Sequence, residues 1–108
     1  MYLYQHGYDF YVMLTQQSEP GYSGTYNPFD PATAPPPGLI NTVNPLRKDT
    51  VYVPRNGHVV LRFPLTNDGL WLFHCHVIWH LGSGMGIVMQ VGDIAEDGRQ
   101  RAAALCSR

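Results

Sequence analysis

From Leu70 to Val77 the chain reads L-W-L-F-H-C-H-V, an apolar run with one cysteine held directly between two histidines. The run is entered through the turn signal Asn67-Asp68-Gly69 and suits a strand in a central position of a sheet. Successive side chains of a strand point to opposite faces. His74 and His76 then share one face and Cys75 takes the other. Any fold open to this chain must serve two chemically different faces of a single strand.

His80 and Met85 follow Cys75 by five and ten residues. A turn after the strand can bring both back toward the Cys75 sulfur. Thiolate, imidazole and a weak axial thioether form the donor set of a blue-copper electron-transfer site, here short of one imidazole. His74 and His76 would serve a second centre behind the first, joined to it by a few covalent bonds. The plainer readings have less to offer. A lone buried cysteine is normally a small hydrophobe, and zinc patterns use paired cysteines or Cys pairs with His pairs. A cysteine flanked by two histidines, with a third histidine and a methionine in register, favours copper over zinc and metal over packing.

The stretch from Trp71 to Gly86, W-L-F-H-C-H-V-I-W-H-L-G-S-G-M-G, resembles the C-terminal copper signature of multicopper oxidases, laccases in particular, H-C-H-x-x-x-H-x-x-x-x-M/L. Two further segments resemble the same domain: Gly7-Tyr8-Asp9-Phe10, and Asn44-Pro45-Leu46-Arg47-Lys48-Asp49-Thr50-Val51. The resemblance covers roughly Gly7 to Asp93. It implies Cys75 and His80 as type 1 copper ligands, Met85 as the axial residue, and His74 and His76 as ligands of a trinuclear type 2/type 3 cluster. It implies a cupredoxin Greek-key fold, a phenolic reductant, dioxygen as the acceptor, and N-terminal cupredoxin domains supplying the other half of the cluster.

The chain departs from that family at its start. The family motif H-P-x-H-x-H-G-H-D-F, aligned through Gly7-Tyr8-Asp9-Phe10, puts His6 at a type 3 position, Tyr4 at the type 2 position and Met1 at the type 1 position. A second alignment sets Met1-Tyr2-Leu3-Tyr4 over M-H-L-H, with Gln5-His6 inserted. In either case imidazoles are lost, and a phenol with a pKa near 10 is a poor substitute. His58, just after a turn, reads as a surface histidine.

The 108 residues make one domain at most. A net charge of -1 without a basic run argues against nucleic acid. No apolar run approaches the ~20 residues a membrane-spanning helix needs. The segment Met1 to Gly7 lacks the charged and apolar regions of a signal peptide. A secreted parent is the expectation that the resemblance carries. With Cys75 assigned to metal, Cys106 needs a partner elsewhere or stays a free thiol; in several laccases a cysteine near the C-terminus is bonded to the N-terminal domain.

Strands are expected at Asp9 to Thr15, Thr50 to Val53, Val59 to Phe63, Leu70 to Val77 and Met85 to Val91. Asn56-Gly57 reads as a hairpin turn. Val59, Leu61 and Phe63 should face inward and Arg62 outward. One helical turn is expected at Val77 to Leu81, with Gly82, Gly84 and Gly86 keeping the backbone close to the site. Gln16 to Gly38, rich in Gly and Pro, reads as an irregular surface insertion, and Asp93 to Arg108 as a short helix or frayed tail. Together these give an all-β sandwich or barrel, and the resemblance implies that its first strands are missing.

Three functions follow. The first is a laccase-type copper oxidoreductase domain, incomplete for catalysis alone. The second is a stand-alone blue-copper carrier, which has no use for His74 and His76. The third is a copper-free truncated homologue, suggested by Met1 and Tyr4.

Overall fold

The structure, a computed structural model, describes residues 1–17, 26–27, 29–36, 38–93, 96, 98, 100, 103 and 104. Two antiparallel sheets organise it. One has the order β4 (Thr50–Tyr52), β1 (Tyr2–Gln5), β6 (Gly69–Cys75), β7 (Gly86–Val91). The other has the order β3 (Leu46–Lys48), β2 (Phe10–Gln16), β5 (His58–Arg62). The helical turn α1 (Ile78–Gly82) links β6 to β7. The all-β expectation holds, and β6 lies inside its sheet between β1 and β7.

The strand inventory differs from the sequence reading in two places. β1 was not foreseen. Its Tyr-Leu-Tyr-Gln sequence alternates, however: Tyr4 lies opposite His74, while Leu3 lies opposite Cys75 and Gln5 opposite Phe73. β3 was also missed, because three exposed residues, Leu-Arg-Lys, carry no burial pattern to read.

The Asn56-Gly57 turn forms, with Gly57 N donating to Pro54 O at 3.2 Å and Asn56 at φ 52°. It does not close a hairpin. β4 pairs with β1 and β5 with β2, so the turn carries the chain from one sheet to the other. Pro54 explains the crossing: it has no N–H to offer and ends the ladder after Val53. Within the proline-rich insertion, Asp30 caps a short 3-10 turn, Pro31–Thr33, where no regular element was expected. Pro31 sits at its start, where a missing N–H costs nothing.

Val59, Leu61 and Phe63 turn inward as expected and Arg62 outward. With Leu3, Gln5, Phe73, Ile87 and Met89 they line a largely apolar cleft of about 310 Å³ between the sheets. The core also holds Phe10, Met13, Leu14, Val51, Val53 and Val91. A bulge between Val12 and Leu14 leaves the Met13 carbonyl free to accept from Asn41 N at 2.8 Å. The two segments quoted above beside the copper signature meet in space: Arg47 and Asp9 form an ion pair at 2.9 Å. Both side chains are substantially exposed, so the pair stabilises by at most about 1 kcal/mol.

Gly7 has φ +86°, and a methyl built there would overlap the six-membered ring of Trp71. Gly7→Ala should therefore destabilise the chain by about 2 kcal/mol or more. The midpoint of urea denaturation measures this.

Backbone at positions 96, 98, 100, 103 and 104 is helical, the first of the two expected forms, short helix or frayed tail. Cys106 lies outside the described residues.

Candidate metal centre

β6 separates the chemistry. Cys75 is completely buried on the inner face, and its Sγ lies 3.6 Å from His80 Nδ1. His80 reaches it because α1 turns the chain back at once. Two backbone bonds then hold the return: Met85 N donates to His80 O at 2.9 Å, and Cys75 N donates to Met85 O at 3.0 Å. Met85 itself is 42% exposed and borders a small apolar cavity with Leu3, Phe73, His74, Gly86 and Ile87. Gly84 takes φ +92°, and a methyl built on Gly86 would meet the His74 Cβ at 3.4 Å, an ordinary van der Waals contact. A methyl at Gly82 or Gly84 would meet open space and one at Gly86 only ordinary contacts, so the expectation is corrected: none of the three is required by a close approach to the site.

On the outer face His6 and His74 stack. Their ring planes differ by 4°, and their Nε2 atoms lie 3.1 Å apart. His74 is buried, and its Nδ1 donates to the Cys75 carbonyl at 3.1 Å. With Nδ1–H so engaged, a neutral His74 presents its Nε2 lone pair toward His6. His76 is exposed, with its ring centroid 5.7 Å from that of His74. The Tyr4 ring stands against both, 4.6 Å from His76 and 6.0 Å from His74. Met1 continues the ladder, exchanging both backbone bonds with Val53. His58 stands on β5 in the other sheet, against Tyr26. A polar cavity of about 500 Å³, lined by Gln5, His6, Asp9, Arg47 and Asp49 among others, opens beside His6.

Two donor pairs therefore exist, one on each side. Metal bonds of about 2.3 Å to sulfur and about 2.0 Å to nitrogen would span the Cys75–His80 distance of 3.6 Å with an angle of about 113° at the ion. Bonds of about 2.05 Å to two imidazoles would span the His6–His74 distance of 3.1 Å at about 98°. Each pair thus fits two adjacent ligands of a single ion. Among the described residues no three His, Cys, Asp or Glu side chains converge on one point. Further donors are needed at both places.

A sandwich of two antiparallel sheets, with a cysteine–imidazole pair on the inner side of β6 and an imidazole pair on its outer side, has the makings of a metalloprotein domain. The multicopper oxidase family model matches residues 5–94. The chain belongs to the multicopper oxidase family. It is 37% identical over 86 residues to laccase-2 of Podospora anserina, covering 79% of this chain and 14% of that protein. It is 40% identical over 97 residues to laccase-9 of Arabidopsis thaliana, covering 87% of this chain and 14% of that protein. It is also 39% identical over 93 residues to the iron multicopper oxidase fer1 of Mycosarcoma maydis, covering 85% of this chain and 14% of that protein.

Among solved structures, the laccase from Botrytis aclada superposes with a TM-score of 0.69 at 26% identity, over 98% of this chain and 18% of its own. Fet3p, a multicopper oxidase that functions in iron import, superposes with a TM-score of 0.66 at 27% identity, over 98% of this chain and 21% of its own. The fold is cupredoxin-like. The chain spans roughly a seventh of the length of these curated relatives.

Proposed function

We infer that this chain is the C-terminal copper-bearing segment of a laccase-type oxidase. It takes single electrons from a phenolic donor on its Cys75 side. It delivers them to the His74 side, where dioxygen is reduced to water with the help of N-terminal cupredoxin domains in a longer polypeptide. Cys75, His80 and Met85 would hold type 1 copper. His6, His74 and His76 would contribute to the type 2/type 3 cluster. The observation that carries this reading is that adjacent residues of β6 face opposite ways, Cys75 inward to meet His80 of α1 and His74 outward to meet His6 just after β1.

Copper supplies the one-electron couple at both places. The chain places, shields and connects it. Complete burial keeps water from the Cys75 sulfur. His80 is exposed, so its ring is where an outside donor can come close. The two sides are linked twice, by the peptide bond between His74 and Cys75 and by the His74 Nδ1–H bond to the Cys75 carbonyl. The polar cavity beside His6 gives small molecules and protons access to the outer side.

Titration with Cu(II) tests the reading. A strong visible thiolate charge-transfer band is expected from the chain, and oxygen uptake with a phenolic donor from the full-length parent. Colour without oxygen uptake in that parent would favour an electron carrier. No colour and no change in thermal stability would favour a copper-free homologue.

Tyr4 is the position where the chain offers least to copper. Tyr4→His places an imidazole in contact with His74 and His76. It should tighten Cu(II) binding on the outer side by about tenfold or more, equal to about 1.4 kcal/mol. Isothermal titration of both proteins reads the difference.

A further inference from the structure

The loop where β1 ends is locked by residues that bind no metal. Gly7 follows His6 directly, and its positive φ lays its backbone on the benzo ring of Trp71. Trp71 Nε1 donates to the Asn67 carbonyl at 2.8 Å. The Tyr8 hydroxyl donates to that same carbonyl and accepts from Asn67 N at 3.0 Å. Asn67 Nδ2 closes the ring of contacts by donating to the Gly7 carbonyl at 3.1 Å. The Tyr8 ring stands edge-on to Trp71, with centroids 5.9 Å apart.

The sheet by itself does not aim His6. The last backbone bond from this stretch to β6 is His6 N to Leu72 O at 3.0 Å, and beyond it the chain turns away. The direction of the His6 ring then depends on the conformation that residue 7 is made to hold. Trp71 sits three residues before His74 on β6, so the surface that fixes Gly7 is rigidly tied to the imidazole His6 must meet. Only a residue without Cβ can lie on that indole, and Asn67 fastens both partners, through its carbonyl to Trp71 and through its side-chain amide to Gly7.

We propose that the Gly7–Trp71–Asn67 contact is a positioning device for His6, holding its Nε2 against that of His74 so that the two imidazoles close on one metal ion. This rests on the reading of His6 and His74 as a metal pair. Trp71 and Asn67 are positioning residues: neither touches the ion. Partners that orient a ligand in this way typically change metal affinity by about 10- to 100-fold when removed.

Cu(II) titration of the full 108-residue chain gives the test, because the two sides report separately. The thiolate charge-transfer band reads Cys75–His80, and the imidazole-bound Cu(II) electron paramagnetic resonance signal reads the outer pair, located by its loss in His6→Ala. Asn67→Ala removes only an exposed amide and leaves the carbonyl that Trp71 and Tyr8 use. It is expected to weaken the outer pair by about 10-fold or more and to leave the band's intensity and midpoint unchanged. Trp71→Phe removes the indole N–H and the fused ring and should weaken the outer pair further. Unchanged outer-pair affinity in Asn67→Ala overturns the proposal. So does an equal loss at both centres, which marks general loosening of the fold. A wild-type chain whose copper uptake ignores His6→Ala overturns the metal-pair reading, and the device with it.

Discussion

Replacing Cys75 with serine is expected to abolish the visible charge-transfer band of the copper-loaded chain outright. The thiolate is the group whose charge moves to the metal, and a hydroxyl does not take its place as an anionic ligand near neutral pH. The substitution is close in volume, and Cys75 is held in the strand by its backbone: Cys75 N donates to Met85 O, and Leu3 lies across the ladder from it. The fold should therefore survive at a cost of about 1 kcal/mol, typical of a buried point substitution. The outer pair of His6 and His74 uses neither the sulfur nor its face, so its Cu(II) binding should remain. Absorption and resonance spectra of Cys75→Ser beside the wild type decide the matter. A band that persists would remove Cys75 from the ligand set.

The largest effect on stability is expected at Phe10. It is completely buried in β2 and pairs across the ladder with Lys48 of β3. Truncation to alanine should cost about 3–5 kcal/mol, the lost transfer energy plus the cavity left behind. Against a typical domain stability of about 5–15 kcal/mol, that removes about a fifth or more of the whole. Denaturation by urea should show the midpoint falling with the slope unchanged. A cost below about 1 kcal/mol would mean that the space around Phe10 refills on truncation.

What the sequence made legible was the strand carrying the metal-type donors. An apolar run with a period of two predicts which side each of His74, Cys75 and His76 takes, and the one-turn helix before Met85 follows from its length and its glycines. The inward row of Val59, Leu61 and Phe63 was readable for the same reason. The rest depends on information that is not local. β1 carries no turn signal before it and gains its role from two neighbours distant in the chain, Thr50–Tyr52 and Gly69–Cys75. The Asn56-Gly57 turn has the chemistry of a hairpin, but its flanking strands belong to different sheets, and only their partners decide that. The lock around Trp71 was hidden because a glycine with positive φ looks the same in sequence as any other glycine.

The Tyr4 position shows the opposite case. Its departure from the family motif is visible in the sequence, and its consequence is a matter of space. A phenol ring now stands where two imidazoles converge. The chain keeps the two donor pairs built on β6 while changing what lies between His74 and His76.

The donors for the two sides belong to neighbouring residues, so their separation is measured out in covalent bonds. Loops can lengthen, the sandwich can breathe on warming, and surface positions can change freely without altering that interval. What surrounds each donor pair can then be remodelled, while the spacing between the two adjacent donor residues stays fixed by the backbone.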